Sequence, residues 1–182
     1  MQPLKRLLWP RLARGLVTPP ITDPPPVVPD AVVQALVERL EEAGQARLGR
    51  SLAIRQVDAG SCNGCELEIN ALQSVVYDLE RFGLRFVASP RHADVLLVTG
   101  PLTRNMREAL ERTLACTPEP RWVVAVGDCA VDGGLFRGSY AVEGGIAAAL
   151  TVDLVIPGCP PTPTQLLEGL LALLAAQTRP RR

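Results

Sequence analysis

The sequence predicts a parallel α/β fold, and three observations carry that expectation. Short β-branched apolar runs recur along the chain, helical patterns separate them, and glycines sit where one gives way to the next. Strands of this kind, buried on both faces and joined through helices, build an open sheet with helices on each side. The expectation is a flavodoxin-like sheet.

The elements follow in order. "PLKRLLWPRLARGLV" interleaves Lys5, Arg6, Arg11 and Arg14 with Leu7, Leu8, Trp9, Leu12 and Leu16, a composition suited to a membrane surface or a partner subunit, with Pro10 interrupting any long helix. "TPPITDPPPVVP" holds six prolines in twelve residues and reads as an extended spacer. From Asp30, Val32, Val33, Leu36, Val37 and Leu40 form one stripe of a helix capped by Asp30 and closed by Gly44 or Gly49. Strands are expected at 51–57, 84–89, 94–100, 122–127 and 152–158, and helices at 66–82, 104–115 and 163–177. The last helix opens on Thr162, Pro163 and Gln165, a capping box with proline near its start. The domain reading is residues 1–29 as amphipathic segment and spacer, 30–49 as a helix, 50–177 as the α/β domain and 178–182 as a tail.

Composition narrows the function classes. Hydrophobic content of 47% with 4% aromatics indicates an aliphatic core. Lys plus Arg and Asp plus Glu are 19 each, so no whole-chain field attracts nucleic acid. No apolar stretch reaches the roughly 18 to 20 residues of a membrane span, and no export signal is readable. No phosphate-binding glycine loop is present. With one histidine and no nucleophile motif, hydrolytic chemistry has little support. The five cysteines are too few for a disulfide scaffold and imply a reducing setting.

Four of those cysteines share a placement. Cys62 and Cys65 follow the first expected strand, Cys129 follows the fourth and Cys159 the fifth. In a parallel sheet those carboxyl ends form one edge, where ligands bind. Four thiolates hold zinc or an iron–sulfur cluster. Structural zinc takes two compact Cys-x-x-Cys knuckles, whereas here the second pair is split between distant loops. Glycines 60, 64, 127, 133, 134 and 158 flank the thiols, letting backbone N–H groups approach sulfur, and the helix after Cys65 directs its positive end there. The reading favoured is one [4Fe–4S] cluster. A Cys62/Cys65 redox dithiol leaves Cys129 and Cys159 unexplained, and four unrelated buried thiols leave their common placement unexplained. Cys116 is assigned to packing.

"GSCNGCELEIN", "SPRHADVLLVTGPLTRNM", "GDCAVDGGLF" and "IPGCPPTPTQLLEGL" together resemble the small iron–sulfur subunit of membrane-bound, energy-converting [NiFe]-hydrogenases of the formate-hydrogenlyase type, homologous to the 20-kDa subunit of respiratory complex I. The resemblance spans about residues 50–177. The spaced Cys62-x-x-Cys65 looks like the hydrogenase branch, since complex I subunits generally carry adjacent cysteines there. It implies that Cys62, Cys65, Cys129 and Cys159 ligate one [4Fe–4S] cluster beside a large catalytic subunit bearing the nickel–iron site. It also implies a ferredoxin-like partner, attachment to membrane subunits through the N-terminal segment, and a peripheral place on the cytoplasmic side of the membrane. On this reading the chain alone is catalytically inert. The alternatives are electron transfer to quinone in a complex-I-like enzyme, a related nickel-free complex, and a zinc-stabilised interaction module.

Other polar residues take local roles. Glu66 and Glu68 suit a helix N-terminus, with a proton path or tuning of potential as the functional alternative. Asp128 and Asp132 flank Cys129, either lowering a cluster potential or solvating the loop. His92 is assigned a hydrogen-bonding role or a subunit contact, and Arg91 and Arg104 a possible partner face.

Overall fold

The computed structural model describes residues 30–176; the amphipathic segment, the proline spacer and the tail lie outside the described residues. Helix α1 (Asp30–Leu48) leads into β1 (Ala53–Asp58) and α2 (Gly64–Ala71). Then come β2 (Arg85–Phe86), β3 (Val95–Thr99), β4 (Leu102–Thr103) and α3 (Arg104–Cys116). The chain continues through β5 (Trp122–Val126), α4 (Asp128–Asp132), β6 (Val142–Gly144), β7 (Leu154–Ile156) and α5 (Pro163–Ala175).

Five strands form one parallel sheet in the order β2-β1-β3-β5-β7. Setting aside β4 and β6, which pair with each other, the strands run 2-1-3-4-5 in chain order. That is the flavodoxin arrangement, whose order reverses between β1 and β3. Side-chain alternation assigns each face. Val95, Leu97, Val124 and Val126 pack with α1, α2 and α5, whereas Leu96, Val98, Val123 and Ala125 pack with Leu110 of α3 and with Ile146.

Local chemistry explains the boundaries. Val33, Val37 and Leu40 of the α1 stripe are buried, while Val32 is 46% exposed at its margin. The helix runs through Gly44 and stops at Gly49, whose φ of 65° closes it while its N–H donates to Gln45. At α5 the Thr162 hydroxyl accepts from the Gln165 N–H, and Gln165 Oε1 accepts from the Thr162 N–H at 2.8 Å, completing the expected box. Leu166, Leu167, Leu170, Leu173 and Leu174 are buried against the sheet and α1.

Three expectations need correction. The helix expected over 66–82 ends at Ala71; turns follow, then Asp78 at φ 43° and a short 3₁₀ turn over Leu79–Phe82. Val75 and Val76, which fall within the expected helix, are 96% and 67% exposed, because the chain leaves the helix before they reach the core. The strand expected at 84–89 shortens to Arg85–Phe86 at the sheet edge. Cys116 is exposed at the end of α3 rather than packed. Neither the small β4–β6 sheet nor α4 was anticipated; the two strands are 2 and 3 residues long and the helix 5, too short to leave a periodic signature.

Candidate metal centre

The four thiols arise from three loops that leave the same edge. β1 ends at Asp58, and its carboxylate organises the turn that follows: the Gly60 and Ser61 N–H groups both donate to Asp58 Oδ1, at 2.7 and 2.6 Å. The Ser61 hydroxyl accepts from the Asn63 N–H at 2.9 Å and donates to Glu66 Oε2 at 2.5 Å. Asn63 adopts φ 73°, a left-handed conformation that asparagine tolerates, and α2 begins at the next residue. Cys62 and Cys65 therefore lie on either side of a fixed turn at the mouth of α2. From β4, Thr103 donates through both its N–H and its hydroxyl to the Ala59 carbonyl, at 3.0 and 2.7 Å.

Cys129 sits in α4, immediately beyond β5, and Cys159 lies beyond β7. Close approach is built in by glycine. A Cβ on Gly127 would lie 2.6 Å from Cys65 Sγ, and one on Gly134 would lie 2.8 Å from Cys129 Sγ. Gly127 and Gly134 also hold φ of 86° and 49°, which side chains resist. The β4–β6 pairing and the Arg107–Glu143 ion pair hold the far end of the Cys129 loop against α3.

Electrostatics shows the sulfurs sensing one another. The Cys65 thiol is pushed up to about 12, first by burial, then by the Glu66 carboxylate and the thiols of Cys62, Cys129 and Cys159. Burial also pushes the Cys129 thiol up, opposed by a hydrogen bond from the Leu135 N–H and reinforced by Cys159, Cys62 and Asp128. Thiolates gathered here repel one another in a partly dry setting, and a cationic centre reverses that sign. The donor set thus fits a thiophilic metal or cluster. Among the described residues no three His, Cys, Asp or Glu side chains are grouped to hold one metal ion.

The remaining candidates separate. Glu66 is 8% exposed in the first turn of α2, and its Oε1 has no hydrogen-bond partner. Glu68 is half-buried, and Asp132 is exposed. His92 and Arg91 are exposed in the turn before β3, at the sheet edge opposite the cysteines, and Arg104 is exposed at the start of α3. Sequence reasoning missed Asp58, Ser61 and Thr103. The Asp-x-Gly-Ser run at 58–61 carried the signal for the first two, a side-chain-capped turn at a strand end.

Fold and centre together define a class: α/β proteins that gather four thiols at the carboxyl edge of a parallel sheet. The chain belongs to the family described as NADH ubiquinone oxidoreductase, 20 Kd subunit, whose model matches residues 62–173. It is a family of iron–sulfur subunits of oxidoreductase complexes.

Over 171 residues the chain is 40% identical to formate hydrogenlyase subunit 7 of Escherichia coli, a match covering 94% of this chain and 63% of that one. A probable membrane-bound hydrogenase subunit, mbhJ, of Pyrococcus furiosus is 43% identical, over 70% of this chain and 76% of its own. Among solved structures, that of the membrane-bound sulfane sulfur reductase, an archaeal respiratory membrane complex, contains a chain that superposes with a TM-score of 0.62 at 31% identity. That match covers 75% of this chain and 73% of the other. Among the described residues no helix is long and apolar enough to cross a membrane. The Pyrococcus furiosus relative and the structural neighbour are described as parts of membrane-bound assemblies.

Proposed function

We propose that this chain is the electron-transfer subunit of a membrane-attached hydrogenase complex of the formate-hydrogenlyase type, with Cys62, Cys65, Cys129 and Cys159 holding one [4Fe–4S] cluster. The observation that carries the reading is the convergence of the four thiols, from loops after β1, β5 and β7, within electrostatic reach of Cys65. When bound, the cluster supplies one-electron exchange between a ferredoxin-like subunit and the nickel–iron site of a large subunit. The chain's own residues set its surroundings. Asp58 and Ser61 fix the turn bearing Cys62; Gly127 and Gly134 leave room for sulfur; the Leu135 N–H reaches Cys129; and Glu66 brings a buried carboxylate beside Cys65. The chain alone is proposed to be inert, because a cluster of this kind exchanges electrons one at a time.

Docking of the large subunit is supported by apolar side chains beside the cysteines. Leu67 is 61% exposed two residues from Cys65, and Leu135 and Tyr140 are 88% and 87% exposed in the Cys129 loop. Residues 1–29 are assigned to membrane-subunit attachment on their composition, and the assembly to the cytoplasmic face. The domain limits of 50–177 for the cluster-bearing unit are part of this proposal.

The family description favours one second reading, electron transfer toward quinone. The deciding experiment isolates the intact complex anaerobically through a tag on this chain, then measures nickel, iron and hydrogen-dependent reduction of an artificial acceptor. Nickel with turnover is expected. Iron and sulfide without nickel or turnover would move the assignment to the quinone-linked or a nickel-free branch.

A further inference from the structure

We infer that Asp128 is a positioning residue for the proposed centre: its side-chain oxygen stands in for a missing backbone carbonyl, clamps Gly158, and so fixes the spacing between Cys129 and Cys159. The inference rests on the cluster reading above but draws on contacts no cysteine makes.

The β5–β7 ladder ends in register at Val126 and Ile156. Two bonds carry it further, from the Gly127 N–H to the Ile156 carbonyl at 2.8 Å and from the Asp128 N–H to the Gly158 carbonyl at 2.9 Å. A parallel ladder would next offer Gly158 a carbonyl from the β5 side. The chain instead turns into α4 at Asp128, and the Gly127 carbonyl is taken by the Ala130 N–H at 3.0 Å. Asp128 Oδ1 fills the gap, accepting from the Gly158 N–H at 2.9 Å. Two bonds of opposite sense thus join the same two residues, each adjacent in sequence to a cysteine.

The neighbouring sequence makes this ring important. Residues 157–161 read Pro-Gly-Cys-Pro-Pro, so only Gly158 and Cys159 carry an N–H in that stretch. Gly158 holds φ 139°, and a Cβ there would lie 2.6 Å from Pro161 Cα, so no other residue can take its place without a shift. The loop bearing Cys159 has few ways to be tied to the sheet, and the pair with Asp128 is the one formed beside the thiol. Asp128 is exposed, so its charge is solvated while its acceptor geometry remains. Its charge also reaches the Cys129 thiol, which gives the rival account: an effect of field alone.

Asp128→Asn and Asp128→Ala separate the two accounts in the purified complex. Asparagine keeps an acceptor oxygen without the charge; alanine loses both. Under the clamp, Asp128→Asn retains wild-type iron content and the electron paramagnetic resonance line shape of the reduced cluster, with any rise in potential shared by both variants. Asp128→Ala changes the line shape, loses iron faster to a chelator, and speeds hydrogen exchange in the 156–160 peptide roughly fivefold, as expected for one lost hydrogen bond. If Asp128→Ala yields no complex, Asp128→Ser, with no acceptor at that reach, replaces it. Equal behaviour of alanine and asparagine, or of alanine and wild type, overturns the inference. Absence of a cluster signal in the wild type would sink the functional reading instead, and the exchange comparison would still judge the clamp.

Discussion

The body of the sheet and its carboxyl rim are built from different interactions. The body is aliphatic: all five residues of β3 and all five of β5 are buried, and leucines of α5 seal one face. The rim buries only small apolar side chains, such as Ala59 and Ala130. It is shaped by side-chain acceptors (Asp58, Ser61, Asp128) and by glycines whose missing Cβ leaves room for sulfur. Area-proportional burial specifies where strands lie but tolerates small displacements, whereas directional hydrogen bonds and hard contacts fix thiols to tenths of an ångström. The protein therefore separates stability from site geometry, and substitutions in the two regions should have separable readouts.

The largest effect is expected at the thiols. Replacing Cys62, Cys65, Cys129 or Cys159 by serine should abolish the cluster, read as iron content and lost visible absorbance. Far-UV circular dichroism should stay near wild type, because buried leucines and valines seal the aliphatic body and Cys65 packs only at its margin. Cys116→Ala should retain full iron. A serine variant that unfolds outright would show that the centre, not the sheet, supports the domain.

Leu170→Ala tests the opposite region. The side chain is 1% exposed beneath the sheet, and the truncation should cost about 2–5 kcal/mol in denaturant unfolding. Folded molecules should keep the wild-type line shape. A changed line shape would mean that the body transmits strain to the rim.

Gly127→Ala is expected to be milder in stability and more specific in effect. It forces an L-residue to φ 86° and places a methyl 2.6 Å from Cys65 Sγ, a strain of about 1–3 kcal/mol concentrated at one sulfur. Iron occupancy should fall and the line shape alter, with a smaller loss of stability than Leu170→Ala. Unchanged occupancy would show that the Cys65 thiol has room to move away.

What was legible in the sequence follows the same division. The apolar runs of β3 and β5 announce themselves because burial on both faces requires apolar residues throughout, β1 keeps enough of that pattern around Arg55 and Gln56, and the cysteines after β1, β5 and β7 located the candidate centre. The helix expected over 66–82 failed because Val75 and Val76 keep an apolar pattern after the chain has left the helix, and local periodicity does not register an irregular turn. Asp128 appeared in the sequence only as a charge beside Cys129. Its clamp depends on Gly158, thirty residues away, which only the β5–β7 register brings near. Long-range directional contacts leave no period to read.

The smallest expected effect concerns the cluster-free chain and its response to alkali. The folded Cys65 thiol, pushed up from 9.0 to about 12, keeps its proton where the unfolded chain has already released it. That preference for the neutral thiol stabilises the fold fully below about pH 9 and is lost as pH rises toward 12, with Cys129 acting in the same direction. Because Cys65 is only half-buried, solvent screening makes the slope shallow. Urea midpoints of the iron-free protein at about pH 8 and about pH 10.5 should therefore fall further for wild type than for Cys65→Ala, the variant cancelling lysine and tyrosine titrations common to both. Equal falls would mean that the folded rim exposes Cys65 enough to ionise as it does in the unfolded chain. The mutual repulsion argued for the four sulfurs would then be absent, and with it the electrostatic case that a cationic centre is needed to hold them as thiolates.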